Sequence, residues 1–202
     1  MKSTFSLSIL AVLAAALLPV AATSQVYSKD RSAPTDQTER TYKYEVYAGY
    51  AYTSLNQVNQ SRYGLQGFNA SVTRDFGRYF GIVAEGDYYK YALQSGNPGS
   101  PVVESVLFGP VLHANLYGKF GGLFHGLLGG EHTGGESQTP NISFAGGVGG
   151  GLEYSLSPRL SLRATGDYIG ASFSLVNNTA ELANSPHKTW NSRAGFGAVY
   201  RF

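Results

Sequence analysis

TWNSRAGFGAVYRF, residues 189–202, alternates strictly between two kinds of side chain. One set of alternate positions is Trp190, Ser192, Ala194, Phe196, Ala198, Tyr200 and Phe202, and the other is Asn191, Arg193, Gly195, Gly197, Val199 and Arg201. A period of two is that of a β-strand, whose successive side chains point to opposite faces. The stretch therefore predicts a strand with one apolar, aromatic face and one face suited to water or a polar interior.

Seven further segments show the same period. With the last one they are residues 42–53, 63–75, 80–91, 103–115, 120–132, 142–155, 160–173 and 189–202, and each has 12 to 14 residues. Strands of soluble sheets usually have about 5–6 residues, whereas a tilted strand needs about 9–11 to cross a bilayer. The even number is typical of bacterial single-chain barrels. We predict that residues 41–202 form an all-β, eight-stranded, antiparallel, up-and-down transmembrane barrel.

The connections between these segments alternate in length. Those at 75–79, 116–119 and 156–159 are short, whereas those at 54–62, 92–102, 133–141 and 174–188 are longer and polar. Outer-membrane barrels have short periplasmic turns and long extracellular loops. The pattern predicts a bacterial outer-membrane location with both termini on the periplasmic side.

The aromatic face is expected to point outward, because an eight-stranded barrel encloses a lumen only just wide enough for its own side chains. The charged face then points to the axis, where its charges should pair. Three charges fall on the apolar face near strand ends: Arg74, Lys90 and Glu104. The predicted lumen charge network is Glu45, Glu85, Asp87, Glu153, Arg163, Asp167 and Arg193. The predicted interfacial aromatics are Tyr42, Phe80, Phe120 and Tyr154 at the short-turn rim and Tyr52, Tyr88 and Trp190 toward the loop rim.

The N-terminus reads as a secretory signal. Residues 1–24 combine Lys2 with a short apolar run and small residues, with cleavage expected after Ala22 or Ser24. Residues 25–40 are polar and aperiodic, and we interpret them as a flexible periplasmic leader.

Composition narrows the functional class. The chain has no Cys, which excludes disulfides and thiolate metal sites. Its 15 basic and 13 acidic residues become 14 and 13 when Lys2 is removed with the signal. A net charge near +1 argues against a nucleic-acid binder. The histidines form no close metal-ligand pattern, and no cofactor site is predicted.

Four sequences carry a resemblance to a known family. GFNASVTRDFGRYFGIVAEGDYY (67–89), LFGP (107–110), GGGLEYSLSPRLSLRATGDYI (149–169) and AGFGAVYRF (194–202) resemble the small outer-membrane β-barrel proteins of the OmpA-like/porin-like superfamily, in the type common in soil acidobacteria. The last of them is similar to the C-terminal assembly signal of such barrels, with Phe196, Tyr200 and Phe202 at its apolar positions. By this resemblance, the partners are outer-membrane lipid and the barrel-assembly machinery.

Three functions remain open. The first is a structural or envelope-integrity barrel, filled by charged side chains, whose loops are available for contacts with an unknown surface ligand. The second is a narrow channel for ions or small solutes. The third and least favoured is a lipid A-modifying enzyme, for which His132, Glu136 and Ser137 supply residue types but no motif. We therefore predict no catalytic residues.

Overall fold

The computed structural model describes residues 42–56, 62–92, 101–135, 141–173 and 187–202. They form eight strands: β1 (Tyr44–Asn56), β2 (Arg62–Asp75), β3 (Phe80–Ala92), β4 (Pro101–Asn115), β5 (Phe120–Gly135), β6 (Asn141–Ser155), β7 (Leu160–Phe173) and β8 (His187–Arg201). No strand end differs from its predicted position by more than three residues. The predicted signal (1–24) and leader (25–40) lie outside the described residues.

The strands form one closed sheet. Each strand pairs antiparallel with the next in sequence, and β1 pairs with β8 from Glu45↔Arg201 to Ser54↔Ser192. Closure gives every strand two neighbours and leaves no open sheet edge. The predicted eight-stranded, antiparallel, up-and-down barrel is confirmed. Within the described ranges, no helix is long and apolar enough to cross a membrane.

Three tight turns lie at one end of the barrel, which we call the turn rim. They connect β2 to β3, β4 to β5 and β6 to β7. Gly118 takes a positive φ of 60° in the second turn, and the Leu160 amide donates to Ser157 Oγ at 3.1 Å in the third. Tyr44 and Phe202 exchange backbone hydrogen bonds of 3.1 and 3.0 Å. The barrel domain therefore begins and ends at this same rim.

The outward face is apolar over the middle of the barrel, with the exposed charges Arg74 and Lys90 near strand ends. We call its central exposed side chains the apolar belt: Phe68, Ile82, Phe108, Leu112, Phe124, Leu128, Phe144, Val148, Leu152, Tyr168 and Phe196. The charged side chains of the alternate positions are buried inside. This is the reverse of a soluble barrel, in which the apolar face lies inside and the polar face contacts water.

Glycine is required where two strands bring a charged side chain close to the backbone. Gly149 is the cross-strand partner of Asp167, and a Cβ at Gly149 would overlap the Asp167 carboxylate and lie 2.8 Å from the carbonyl oxygen of Gly166. Asp167 has no freedom to withdraw, because Arg193 and His125 both bind it. Gly166, one strand away on the outward face, has open space where its Cβ would be.

These two glycines form a matched pair for a stability test. We expect Gly149→Ala to be less stable than Gly166→Ala by about 1–3 kcal/mol, because only the first overpacks the interior. Both substitutions reduce the entropy of the unfolded chain equally. Urea unfolding of the refolded protein in detergent micelles, followed by Trp190 fluorescence, measures the difference. Equal stabilities would show that the lumen has room beside Asp167.

Candidate functional site

Two groups of charged side chains fill much of the lumen. The first, the turn-side cluster, joins Glu45, Glu153, Arg163 and Arg201 near the turn rim. Arg163 Nη2 lies 2.5 Å from Glu45 Oε1, and Arg163 Nε donates to Glu153 Oε1 at 2.7 Å. Arg201 also binds Glu153, lies 3.3 Å from Glu45, and donates to Ser161 Oγ at 2.7 Å. With two carboxylates and two guanidinium groups, this cluster is neutral.

The second group, the central cluster, surrounds Arg193. Its guanidinium lies 2.6 Å from Glu85 Oε1, 2.7 Å from Asp87 Oδ2 and 2.8 Å from Asp167 Oδ2. The His125 ring nitrogen Nε2 lies 2.6 Å from Asp167 Oδ1. The Ser105 hydroxyl donates to Asp87 at 2.6 Å. Three carboxylates therefore share one guanidinium, and His125, Ser105 and Tyr89 supply further hydrogen bonds, the Tyr89 hydroxyl donating to Asp87 Oδ1 at 3.3 Å.

The closed sheet builds both clusters in two ways. Some partners face each other across neighbouring strands, as Glu45↔Arg201, Glu153↔Arg163 and Asp167↔Arg193 do. Others meet across the lumen: Arg163 on β7 reaches Glu45 on β1, and Arg193 on β8 reaches Glu85 and Asp87 on β3. Removing charges from water costs several kcal/mol each, so such groups persist only when opposite charges and further hydrogen bonds surround them. All seven residues of the predicted lumen charge network belong to these clusters.

The interior also contains a large apolar cluster. The prediction of a lumen filled by charged side chains therefore describes only part of the interior. The members of this cluster are Ala51, Leu55, Leu65, Val83, Tyr89, Val103, Leu107, Val111, Leu123, Leu127, Ala145, Ile169 and Ala171. In β4 and β5, apolar residues such as Leu107 and Leu127 stand directly beside belt residues such as Phe108 and Leu128. Both faces are apolar there, and a period-2 pattern does not reveal the inward residues. The sequence signal that could have identified these inward residues is the continuous apolar run.

The space left in the lumen is small. A cavity of about 20 Å³, lined by Thr53, Asp87, Glu131, Asn191 and Arg193 among others, has room for a single water molecule. A second cavity of about 10 Å³ lies beside Glu85 and His125. Glu131 is buried at the first cavity, and its Oε1 has no hydrogen-bond partner among the described residues. Around these two cavities, the interior formed by the described residues is a packed core with water-sized gaps.

Three of the four histidines take part in local acid–histidine pairs. His113 lies 3.1 Å from Asp75 near the turn rim, and His125 belongs to the central cluster. His132 Nδ1 lies 3.7 Å from Glu104 Oε2. Within the described ranges, no three His, Asp or Glu side chains are placed to hold a metal ion.

Glu104 lies on the outward face of β4, as the sequence predicted together with Arg74 and Lys90, because its cross-strand partners Tyr88 and His132 belong to that face. Arg74 and Lys90 are exposed. Glu104 is buried, and the sequence did not indicate its contact with His132, whose Nδ1 lies 3.7 Å from Glu104 Oε2. Glu136 and Ser137, the other residues of the enzyme hypothesis, lie outside the described residues.

Aromatic side chains cluster toward both ends of the barrel. At the turn rim Phe120 packs on Tyr154 with ring centroids 5.1 Å apart, and Phe80 lies 6.2 Å from Phe76. At the opposite rim Trp190 stacks on Tyr168 at 5.0 Å. The other predicted interfacial aromatics follow the same division: Tyr42 lies at the turn rim, and Tyr52 and Tyr88 lie toward the loop rim.

The C-terminal motif has one contact that its sequence did not indicate. Phe196 and Tyr200 are exposed on the outward face of β8. Phe202 lies at the turn rim with its ring centroid 6.1 Å from those of both Tyr44 and Tyr200. The end of β8 therefore packs against the start of β1.

Comparison with known proteins identifies the class of fold. No protein-family model matches the chain, and no curated protein does. The crystal structure of Neisserial surface protein A (NspA) matches with a TM-score of 0.65 and 12% identity, over 79% of this chain and 97% of that one. The crystal structure of Ail, the attachment invasion locus protein of Yersinia pestis, matches with a TM-score of 0.55 and 20% identity, over 80% of this chain and 99% of Ail. Ail in complex with the heparin analogue sucrose octasulfate matches with a TM-score of 0.53 and 18% identity, over 80% and 99% of the two chains.

These structures share their architecture with the chain. It has the fold of the small eight-stranded outer-membrane β-barrels, and the resemblance to the OmpA-like and porin-like barrels is confirmed at the level of fold. The soil-acidobacterial type stays a prediction.

The central cluster gives a direct test of the site. Arg193→Met would leave Glu85, Asp87 and Asp167 buried without their shared cation, so we expect it to lower the free energy of unfolding by about 3–5 kcal/mol. Arg74→Met, at an exposed position on the turn rim where only contacts with the Tyr44 and Phe76 rings are lost, should lower stability by no more than about 1 kcal/mol. Urea titration of both variants in micelles measures the two effects. Similar small losses in both would mean that the cluster does not stabilise the barrel.

Proposed function

We propose that this protein spans the bacterial outer membrane as a closed barrel with a structural or envelope-integrity role. Its belt would contact hydrocarbon, its termini would face the periplasm, and its long loops would face the exterior. The observation that carries the proposal is the distribution of polarity across one closed sheet. Outside lies the apolar belt, and inside lie the turn-side and central clusters.

The belt supports a lipid environment for a physical reason. Monomeric soluble proteins rarely expose contiguous apolar patches larger than a few hundred Å². Here large apolar side chains are exposed on every strand, among them Phe108 on β4 and Phe144 on β6. The aromatic residues at both ends correspond to the interfacial girdles of outer-membrane barrels. Outer-membrane lipid is accordingly the first proposed partner.

A structural role is favoured over a channel because the lumen is packed. The two ionic clusters and the interior apolar cluster leave cavities of about 20 and 10 Å³. Conduction of ions or small solutes would need the Arg163 and Arg193 contacts to exchange partners. Breaking a buried ion pair costs about 3–5 kcal/mol, so an open state would be scarcely populated.

Two further partners belong to this proposal. The barrel-assembly machinery would read the motif of Phe196, Tyr200 and Phe202 at the end of β8. A surface ligand would meet the long loops, and Ail, an attachment invasion locus protein that shares this fold, supports such a role. Enzymatic activity and nucleic-acid binding form no part of the proposal.

A pair of charge substitutions tests the placement of the belt in lipid. Phe108 lies at the middle of β4 and is 59% exposed, and Leu116 lies in a turn and is 56% exposed. In a bilayer, Phe108→Arg should cost about 2–4 kcal/mol and Leu116→Arg no more than about 1 kcal/mol, because the penalty depends on depth. Unfolding titrations in phospholipid vesicles measure both. In water the two equally exposed positions would respond alike, so equal effects would contradict the membrane placement.

Planar-bilayer recording tests the channel alternative. We expect no stepwise current from the wild-type protein at either polarity, because the described residues pack its lumen around cavities of about 20 and 10 Å³. A large-pore porin reconstituted in the same bilayer is the positive control. Discrete currents that change in Glu85→Ala and Arg163→Ala would support a channel instead.

A further inference from the structure

The exposed charges of the turn rim have one sign. We take the rim as residues 42–44, 74–80, 114–120, 154–160 and 200–202. Its solvent-accessible ionic side chains are all basic: Lys43, Arg74, Arg78, Lys119 and Arg159. Within these ranges the one acidic side chain, Asp75, is buried and paired with His113, and Arg201 is buried in the turn-side cluster. Within these described ranges, no exposed acidic side chain offsets the positive charge.

The long connections at the other end of the barrel are balanced in charge, and the exposed base Lys90 lies near them. By sequence, the four long connections carry two bases, Arg62 and Lys188, and two acids, Glu136 and Glu181. The positive charge is therefore a local property of the turn rim and does not follow from the net charge of +2.

Aromatic rings hold three of the basic groups in place. The Arg74 guanidinium carbon lies 5.1 Å from the ring centroid of Phe76 and 5.9 Å from that of Tyr44. Arg78 lies 5.1 Å from the ring of Tyr79. Cations over aromatic faces are attracted by the ring quadrupole, so these guanidinium groups are fixed at the height of the rings.

Arg159 on the third turn is held in the same way. Its guanidinium carbon lies 5.8 Å from the ring centroid of Tyr42, and its side chain hydrogen-bonds those of Tyr42 and Tyr200. Together the three arginines place planar sets of N–H donors around the rim. Arg78 Nε in particular is buried and has no hydrogen-bond partner among the described residues.

We propose that the turn rim binds the phosphate groups of anionic phospholipids in the periplasmic leaflet, in preference to zwitterionic phospholipids. The proposal rests on the membrane placement argued above. Aromatic rings sit at the headgroup level of a bilayer, which brings Arg74, Arg78 and Arg159 to the depth of the phosphates. Guanidinium groups bind phosphate oxygens through paired N–H donors. A zwitterionic headgroup brings its own ammonium group to the rim, whereas an anionic headgroup brings none.

The single tryptophan of the chain allows a site-specific test. Trp190 lies toward the loop rim, and Tyr117 in the β4–β5 turn is 89% exposed. The variant Tyr117→Trp with Trp190→Phe moves the only tryptophan to the turn rim. Each protein is reconstituted in phosphatidylcholine–phosphatidylglycerol vesicles of fixed composition, in which either the anionic or the zwitterionic lipid is brominated to quench tryptophan. Both leaflets have the same composition, so the orientation of the barrel does not affect the result.

We expect the turn-rim tryptophan to report a relative binding constant for phosphatidylglycerol over phosphatidylcholine of about two or more, falling toward one at high salt. Trp190 of the wild-type protein, at the balanced rim, should report a value near one. Arg74→Gln, Arg78→Gln and Arg159→Gln together, in the turn-rim reporter, should bring its value most of the way to that of Trp190. Lys43→Gln with Lys119→Gln keeps every ring contact of the arginines and should lower the value in part.

The outcomes separate this proposal from the one on which it rests. Equal quenching of the turn-rim tryptophan by the two brominated lipids would overturn the lipid preference and leave the membrane placement intact. Quenching by neither lipid would overturn both. Lys90→Gln, which removes an exposed base near the other rim, is the matched control and should leave the turn-rim value unchanged.

Discussion

The pairing of β1 with β8 is the constraint on which the rest of the structure depends. It joins the two ends of the described sheet through the register from Glu45↔Arg201 to Ser54↔Ser192. A closed sheet has only two faces, one convex and one enclosed, and alternate residues of every strand must go to one or the other. The apolar belt, the packed lumen and the common rim for both ends of the barrel domain all follow from this closure.

Closure also explains why the buried charges are tolerated. Arg163 and Arg193 contact carboxylates on neighbouring strands and on strands across the lumen. In an open sheet the transverse partners would be separated, and each guanidinium would lose part of its compensation for desolvation. The ionic clusters therefore stabilise the closed form specifically, while the interior apolar cluster fills the space that they leave.

The two ends of the barrel serve different surroundings. The turn rim combines short connections, stacked aromatic rings and uncompensated basic groups, as Arg74 between Tyr44 and Phe76 illustrates. The other end carries the long polar connections of balanced charge. This asymmetry fits a barrel that faces a phospholipid leaflet on one side and presents loops to the exterior on the other.

The sequence by itself determined the number, order and approximate bounds of the strands and the face on which each charge lies. It could do so because side chains alternate strictly along a strand, so local order along the chain fixes the face. It missed the inward Leu107 and Leu127, since both faces of β4 and β5 are apolar there, and it did not indicate that Glu104 is buried against His132. The sequence could not predict which residues pair within the ionic clusters. In the structure Arg163 contacts Glu45, and Arg193 contacts Glu85, Asp87 and Asp167. These contacts depend on the strand register and on distances across the lumen, which only the closed tertiary structure decides.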